Sequence, residues 1–292
     1  MADNVAQANA NWDVANTWSL GVPIAGQVVD LSTFAIDLNV DTPALAEIKT
    51  AGLGKINVNL TAGDRVITAT VINAGTHTSG VIYVYGATNT LTVNTDEIIA
   101  GSATSAQGIK NNGTGHVIIN GDCTGGVGGY TSGAYNVTTG TITINGISTG
   151  SGTNYSNGVF NVGGGIVTIN NPGENAAVGG SGINSYGVYN NGAGTVNIVG
   201  DVVGGSSFSA WGAHNKIEAG TINITGNLIF TDGGAAPYGG FDPTIVAGSE
   251  YYIQLAGVKF PQQLLAAQVL RAIEHGDRTG TLASVNKLQG LL

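Results

Sequence analysis

Between residues 117 and 224, apolar and polar positions alternate in short bursts that recur at an even interval. Val117-Ile118-Ile119, Ile142-Thr143-Ile144, Val167-Thr168-Ile169, Val196-Asn197-Ile198 and Ile222-Asn223-Ile224 each carry the two-residue period of a strand with one buried face. Before each burst stands a segment reading Gly, small aliphatic, mostly aromatic, Asn. These are Gly108-Ile109-Lys110-Asn111, Gly133-Ala134-Tyr135-Asn136, Gly158-Val159-Phe160-Asn161, Gly187-Val188-Tyr189-Asn190 and Gly212-Ala213-His214-Asn215, with spacings of 25, 25, 29 and 25 residues. A third landmark, Thr124-Gly125, Thr149-Gly150, Val178-Gly179 and Val203-Gly204, keeps step through the one four-residue insertion. Three landmarks sharing one period predict an all-β chain, a right-handed parallel β-helix (solenoid) with coils of about 25 residues. One coil cannot bury its own apolar side, so stability is expected from the stacking of neighbours about 4.8 Å apart.

Stacking turns each repeat position into a column. Val and Ile then line the core, and Thr and Asn the solvated face. The column Asn111, Asn136, Asn161, Asn190, Asn215 is expected to form an amide ladder at a corner, satisfying turn backbone groups. Beside it, Lys110, Tyr135, Phe160, Tyr189 and His214 read as an aromatic stack or a contact between subunits, with a sugar-stacking groove as the functional alternative.

Upstream, Gly54 to Leu60, Arg65 to Ile72, Tyr83-Val84-Tyr85 and Leu91 to Asn94 look like less regular coils, so the solenoid is expected over residues 27–232. Residues 1–26 are not periodic; Trp12 and Trp18 there either cap the first coil or reach to a partner. Residues 233–292 form the third unit. It opens with a Pro/Gly-rich break, followed by a strand at Glu250 to Leu255. A short C-terminal helix is then expected over Gln262 to His275, between Pro261 and Gly276. Leu265, Val269 and Ile273 lie on one face of that helix, which either covers the open end or serves as an oligomer seam or docking element.

Composition narrows the partners. Only 9% of residues are charged, against roughly a quarter in ordinary domains, yet 42% are hydrophobic, which argues against disorder. No uninterrupted apolar window approaches the length of a membrane-spanning helix, so no membrane partner is expected. The net charge is −9 and the nine basic residues never cluster, which leaves no electrostatic footprint for nucleic acid. Cys123 is the one cysteine, so it has no intrachain disulfide partner and reads as a small core filler.

Candidate chemistry is sparse. Between residues 98 and 217 the charged side chains are Lys110, Asp122, Glu174, Asp201 and Lys216. Asp122 and Asp201 share a repeat position but lie three coils apart, roughly 14 Å at the stacking distance. That is too far for the paired carboxylates of a glycosidase. Glu174, inside the insertion, is the one acid left free to approach either. His77, His116, His214 and His275 show no metal-ligand spacing, and no phosphate-binding loop leads from a strand into a helix. The expectation is a protein that is not an enzyme and has no cofactor.

The opening Asn11-Trp12-Asp13, Thr17-Trp18-Ser19 and Gly21-Val22-Pro23, followed by alternating strands and Asn/Gly/Thr-rich coils, resembles the start of bacterial and phage surface β-helices. It is similar both to adhesin passengers of the autotransporter type and to phage decoration and tail proteins. Met1-Ala2-Asp3-Asn4 has neither the basic nor the apolar part of a secretory signal, which tilts the resemblance toward the phage side. The resemblance implies a virion protein made in the host cytoplasm. Its first reading is a capsid decoration or cement protein, homotrimeric, gripping the major capsid protein or other virion proteins through its terminal segments. The alternatives are a receptor- or glycan-binding tail or adhesin module, at the cell surface or secreted in the adhesin case, and a polysaccharide depolymerase.

Overall fold

The computed structural model describes residues 3–50, 52–75, 82–207, 210–217 and 219–231, together with the strand backbones Ala236–Gly240, Thr244–Ile245, Tyr251–Leu255 and Val258–Pro261. The expected C-terminal helix, with Leu265, Val269 and Ile273, lies outside the described residues, as do His77 and His275.

Two parallel sheets, one of 15 strands and one of ten among the described residues, face each other, and the chain passes from one to the other in turn. This is the all-β parallel solenoid that the repeat predicts. In the first sheet His116 pairs with Thr141, Thr141 with Ile166, and Ile166 with Thr195, so the alternating bursts lie one above another. Val117, Ile142, Val167 and Val196 are fully buried along one column, and Ile119, Ile144 and Ile169 along the next. Each such side chain contributes about 1.5–3 kcal/mol by leaving water.

Glycines bend the first sheet. Gly121, at φ 149°, ends the burst Val117-Ile118-Ile119, and a Cβ there would collide with the Thr95 carbonyl of the coil below. Gly200, at φ 124°, repeats the device. An aspartate follows each bend and holds the next coil. Asp122 Oδ1 accepts from the Ile147 backbone N–H at 2.8 Å, and Asp201 Oδ1 from the backbone and side-chain N–H groups of Asn227, both at 2.8 Å.

The four-residue insertion is an excursion on this sheet. Asn170 pairs with Val199 but Asn175 already with Asp201, so residues 171–174 bulge outward around Gly173. Glu174 is exposed on that bulge. A second register shift follows between Asn175 and Ala177, and from Ala177 the pairing with Val202 and Val203 is regular.

Parallel pairing begins earlier than expected. Asn4–Val5 pairs with Val29 and Asp30, and Ala10–Asn11 with Ile36 and Asp37, so the first coil lies inside residues 1–26. Residues 17–19 then run antiparallel along that first strand: Gln7 donates to the Thr17 carbonyl, Ser19 to the Val5 carbonyl, and Ala6 bridges Trp18. The expected strand at the other end is present as Tyr251–Leu255, paired in parallel with Leu228–Thr231. Val258–Pro261 folds back on it antiparallel, so Pro261 closes a strand.

Candidate interaction surface

The second sheet carries the chemistry-bearing columns. Its strands Gln107–Asn111, Ser132–Asn136, Asn157–Asn161, Val188–Asn190 and Trp211–Asn215 stack in register, which aligns the Gly-to-Asn segments residue for residue. The five asparagines point inward and are at most 3% exposed. Asn136 donates to Asn161 across 25 residues at 3.1 Å, Asn161 to Asn190 across 29 at 3.0 Å, and Asn190 to Asn215 across 25 at 3.2 Å. The same amides donate to turn carbonyls at Gly140, Gly165 and Gly194. The bonded run spans Asn136 to Asn215. Asn111 is held instead by the Gly113 N–H and the Gly115 and Thr141 carbonyls, and Asn136 Oδ1, which faces the break, is the one ladder oxygen left without a partner among the described residues.

On the outer side of the same strands Tyr135, Phe160, Tyr189 and His214 form one stack. Ring centroids are 5.0, 5.0 and 5.1 Å apart, and the planes of the first three lie within 5° of parallel. Lys110 covers the free face of Tyr135, with its Nζ 5.3 Å from the ring centroid. Burial holds the Lys110 ammonium below its usual pKa and the Tyr135 hydroxyl above. His214 is pushed down to about 4 by burial first and by the Lys216 charge second. Because each ring's faces lie against its neighbours, the stack presents edges to solvent. A sugar ring stacks on an aromatic face, so the column is a structural spine first.

Two more exposed rings stand next to it. Tyr130 and Tyr155, in the turns before these strands, stack at 4.7 Å and 4° and are 59% and 37% exposed. Together with Phe160, Tyr189, Asn157 and Asn191 they enclose a slot of about 190 Å³. On the next two coils the flank is filled: Tyr186 stacks on Trp211 at 5.4 Å and sets its edge against Tyr189 and His214. Burial, followed by the Tyr189 and Tyr155 phenols, raises the Tyr186 hydroxyl to about 12.

The remaining candidates are dispersed. Trp12 and Trp18 are 0% and 3% exposed and meet edge to face at 5.0 Å, with Trp18 Nε1 donating to the Trp12 carbonyl at 2.8 Å. Both indoles therefore lie in the core of the first coil, away from its surface. Asp122 and Asp201 face the bends described above, while Glu97 is the register partner of Asp122 and accepts from Thr124 Oγ1 at 2.8 Å. Cys123 is fully buried, and burial foremost raises its thiol pKa. Among the described residues no three His, Cys, Asp or Glu side chains gather as metal ligands.

Sequence reasoning singled out Tyr135, Phe160 and Tyr189 and overlooked Tyr130 and Tyr155. The signal was available: both tyrosines stand three residues before the repeat glycine, in Tyr130-Thr131-Ser132-Gly133 and Tyr155-Ser156-Asn157-Gly158. Comparison with known proteins gives no matching family, no matching curated protein and no matching solved structure. What the geometry itself establishes is the class: the chain is a parallel β-solenoid.

Proposed function

We propose that the chain is a structural virion protein, a capsid decoration or cement protein that stabilises a phage head without catalysis. The observation that carries this reading is a rigidly held apolar loop at the first coil. Leu20, Val22 and Ile24 are 54%, 37% and 63% exposed, although each is a residue type that normally leaves water. The loop under them is fixed. Asn4, fully buried, donates to the Gly21 carbonyl at 2.8 Å and accepts from the Leu20 N–H at 3.0 Å, and the Gln27 amide accepts from the Ile24 N–H at 3.1 Å. Apolar side chains on a pinned loop lose little conformational entropy when a partner covers them, which favours docking. In this reading the partners are the major capsid protein and further copies of the chain in a homotrimer, and the added buried area between capsomers is the whole mechanism.

The test is co-sedimentation with undecorated heads of the virus that encodes the chain. The parent protein should bind and raise the temperature at which the heads burst. Leu20→Ser combined with Ile24→Ser should lower binding tenfold or more, with melting of the free protein within about 0.5 kcal/mol of the parent. Heads that ignore the parent protein, or bind the double variant equally well, overturn the proposal. A receptor- or glycan-binding tail or adhesin module is the second reading, and the slot beside the aromatic stack is the observation that favours it.

A further inference from the structure

We infer that the slot bounded by Tyr130, Tyr155, Phe160 and Tyr189 binds an uncharged saccharide ring. The inference deepens the second reading and does not depend on capsid attachment.

Shape comes first. The slot, about 190 Å³, is smaller than the ~300–1,000 Å³ usual for drug-sized ligands, which suits one sugar ring of a longer chain. Its flanks are tyrosine and phenylalanine side chains, and the paired tyrosines are open to solvent, unlike the rings inside the stack. Aromatic faces carry a negative quadrupole and attract the polarised C–H bonds on the apolar side of a pyranose.

Chemistry narrows the ligand further. None of the six lining residues is charged at neutral pH, so nothing in the lining selects an acidic or a basic group. The hydroxyls of Tyr130, Tyr155 and Tyr189 and the side-chain amide of Asn191 make no hydrogen bond within the described residues. All four residues line the slot, together with the apolar ring of Phe160. A purely apolar occupant would desolvate them without partners, at a cost of about 1–3 kcal/mol for each one buried. A polyhydroxylated occupant pairs them. Asn157, by contrast, is committed to the scaffold: its Oδ1 accepts from the Tyr186 N–H at 3.1 Å and its Nδ2 donates to the Tyr155 carbonyl at 3.4 Å.

Backbone geometry points the same way. Ser105, Tyr130, Tyr155 and Asn184 occupy one turn column, and all have left-handed φ values, 68°, 58°, 48° and 53°. Asn suits that conformation, and a bulky aromatic residue is an outlier there. Two tyrosines are thus kept where asparagine is the better fit for the turn, and strain of this kind concentrates at ligand sites.

The experiment titrates the full chain with maltohexaose, cellohexaose and chitohexaose in turn, following intrinsic fluorescence and saturation-transfer NMR. At least one hexasaccharide should bind saturably. Tyr155→Asn, which suits the left-handed turn, should weaken binding tenfold or more with unchanged melting. Asn191→Ala should weaken it severalfold, and Tyr83→Ala, remote from the slot, should leave it unchanged. The inference is overturned if none of the three sugars binds or if Tyr155→Asn binds as well as the parent. Saturable binding of choline chloride in place of sugar overturns it too, because aromatic slots also take quaternary ammonium groups. A change of oligomeric state on Tyr155→Asn, read by analytical ultracentrifugation, would make the slot a contact between copies and overturn it likewise.

Discussion

The inner corner column of the second sheet is built in two ways along one rod. In the early coils it is apolar: Leu38, Val58 and Val84 are at most 3% exposed and pack against the core. From Asn111, the register partner of Val84, it becomes five consecutive asparagines, equally buried. The outer neighbours change over the same stretch, from Asn11, Asp37 and Asn57 to the aromatic stack. One backbone therefore accepts either solution at the same place. An amide is tolerated there where neighbouring amides, as at Asn161 and Asn190, or turn backbone groups, as at Asn111, supply the partners that water would otherwise supply.

That difference can be broken from either side. Val58→Asn places a lone amide between Leu38 and Val84, with no amide neighbour in its column. Lost apolar burial and an unpaired polar group together should cost about 3–5 kcal/mol in denaturant unfolding. Val84→Asn places the new amide in register beside Asn111 and should cost less than half as much. Equal losses would show that company in the column does not matter. The reciprocal exchange, Asn161→Val, removes the donor to Asn190 Oδ1 and one of the donors to the Gly165 carbonyl. It should cost about 1–3 kcal/mol, and a stabilised variant would contradict the ladder's role.

The smallest effect sharpens the outer half of the contrast. His214 ends the aromatic stack, and burial foremost lowers its pKa from 6.5 to about 4. Between those values the unfolded chain holds more protons than the folded one, so acidification favours unfolding. The stabilising contribution is complete above pH 6.5 and lost as the pH falls toward about 4. Thermal midpoints should drop across that window, and His214→Gln should flatten part of the drop. A variant with the parent's pH profile would show that His214 titrates as it does in the unfolded chain.

Much of this architecture was legible before any coordinates. The Gly-to-Asn segments, the alternating bursts and the Thr/Val-Gly pairs fall into the register their spacing implies, because a stacked coil ties sequence period directly to spatial neighbour. The insertion containing Glu174 was legible too, since it shifts the repeat by its own length. The first coil was not: its strands, Asn4–Val5 and Ala10–Asn11, have two residues each, too few to display alternation. Trp12 and Trp18 gave two readings because a sequence does not say whether an end is covered. The slot was missed for a different reason. Tyr130 and Tyr155 themselves take left-handed φ values in turns, where a tyrosine is not anticipated, and the strand periodicity does not extend to them.

In the first sheet, both outermost parallel strands of the described residues are flanked by a segment of opposite polarity, Thr17 to Ser19 along Asn4–Val5 and Val258–Pro261 along Tyr251–Leu255. A parallel ladder left bare is a template for the next molecule and the seed of a fibre. Reversing the chain direction withdraws that template, because an incoming parallel strand meets donors and acceptors arranged for the other sense. Along the first sheet, no described parallel edge is left bare for a further copy of the chain to extend.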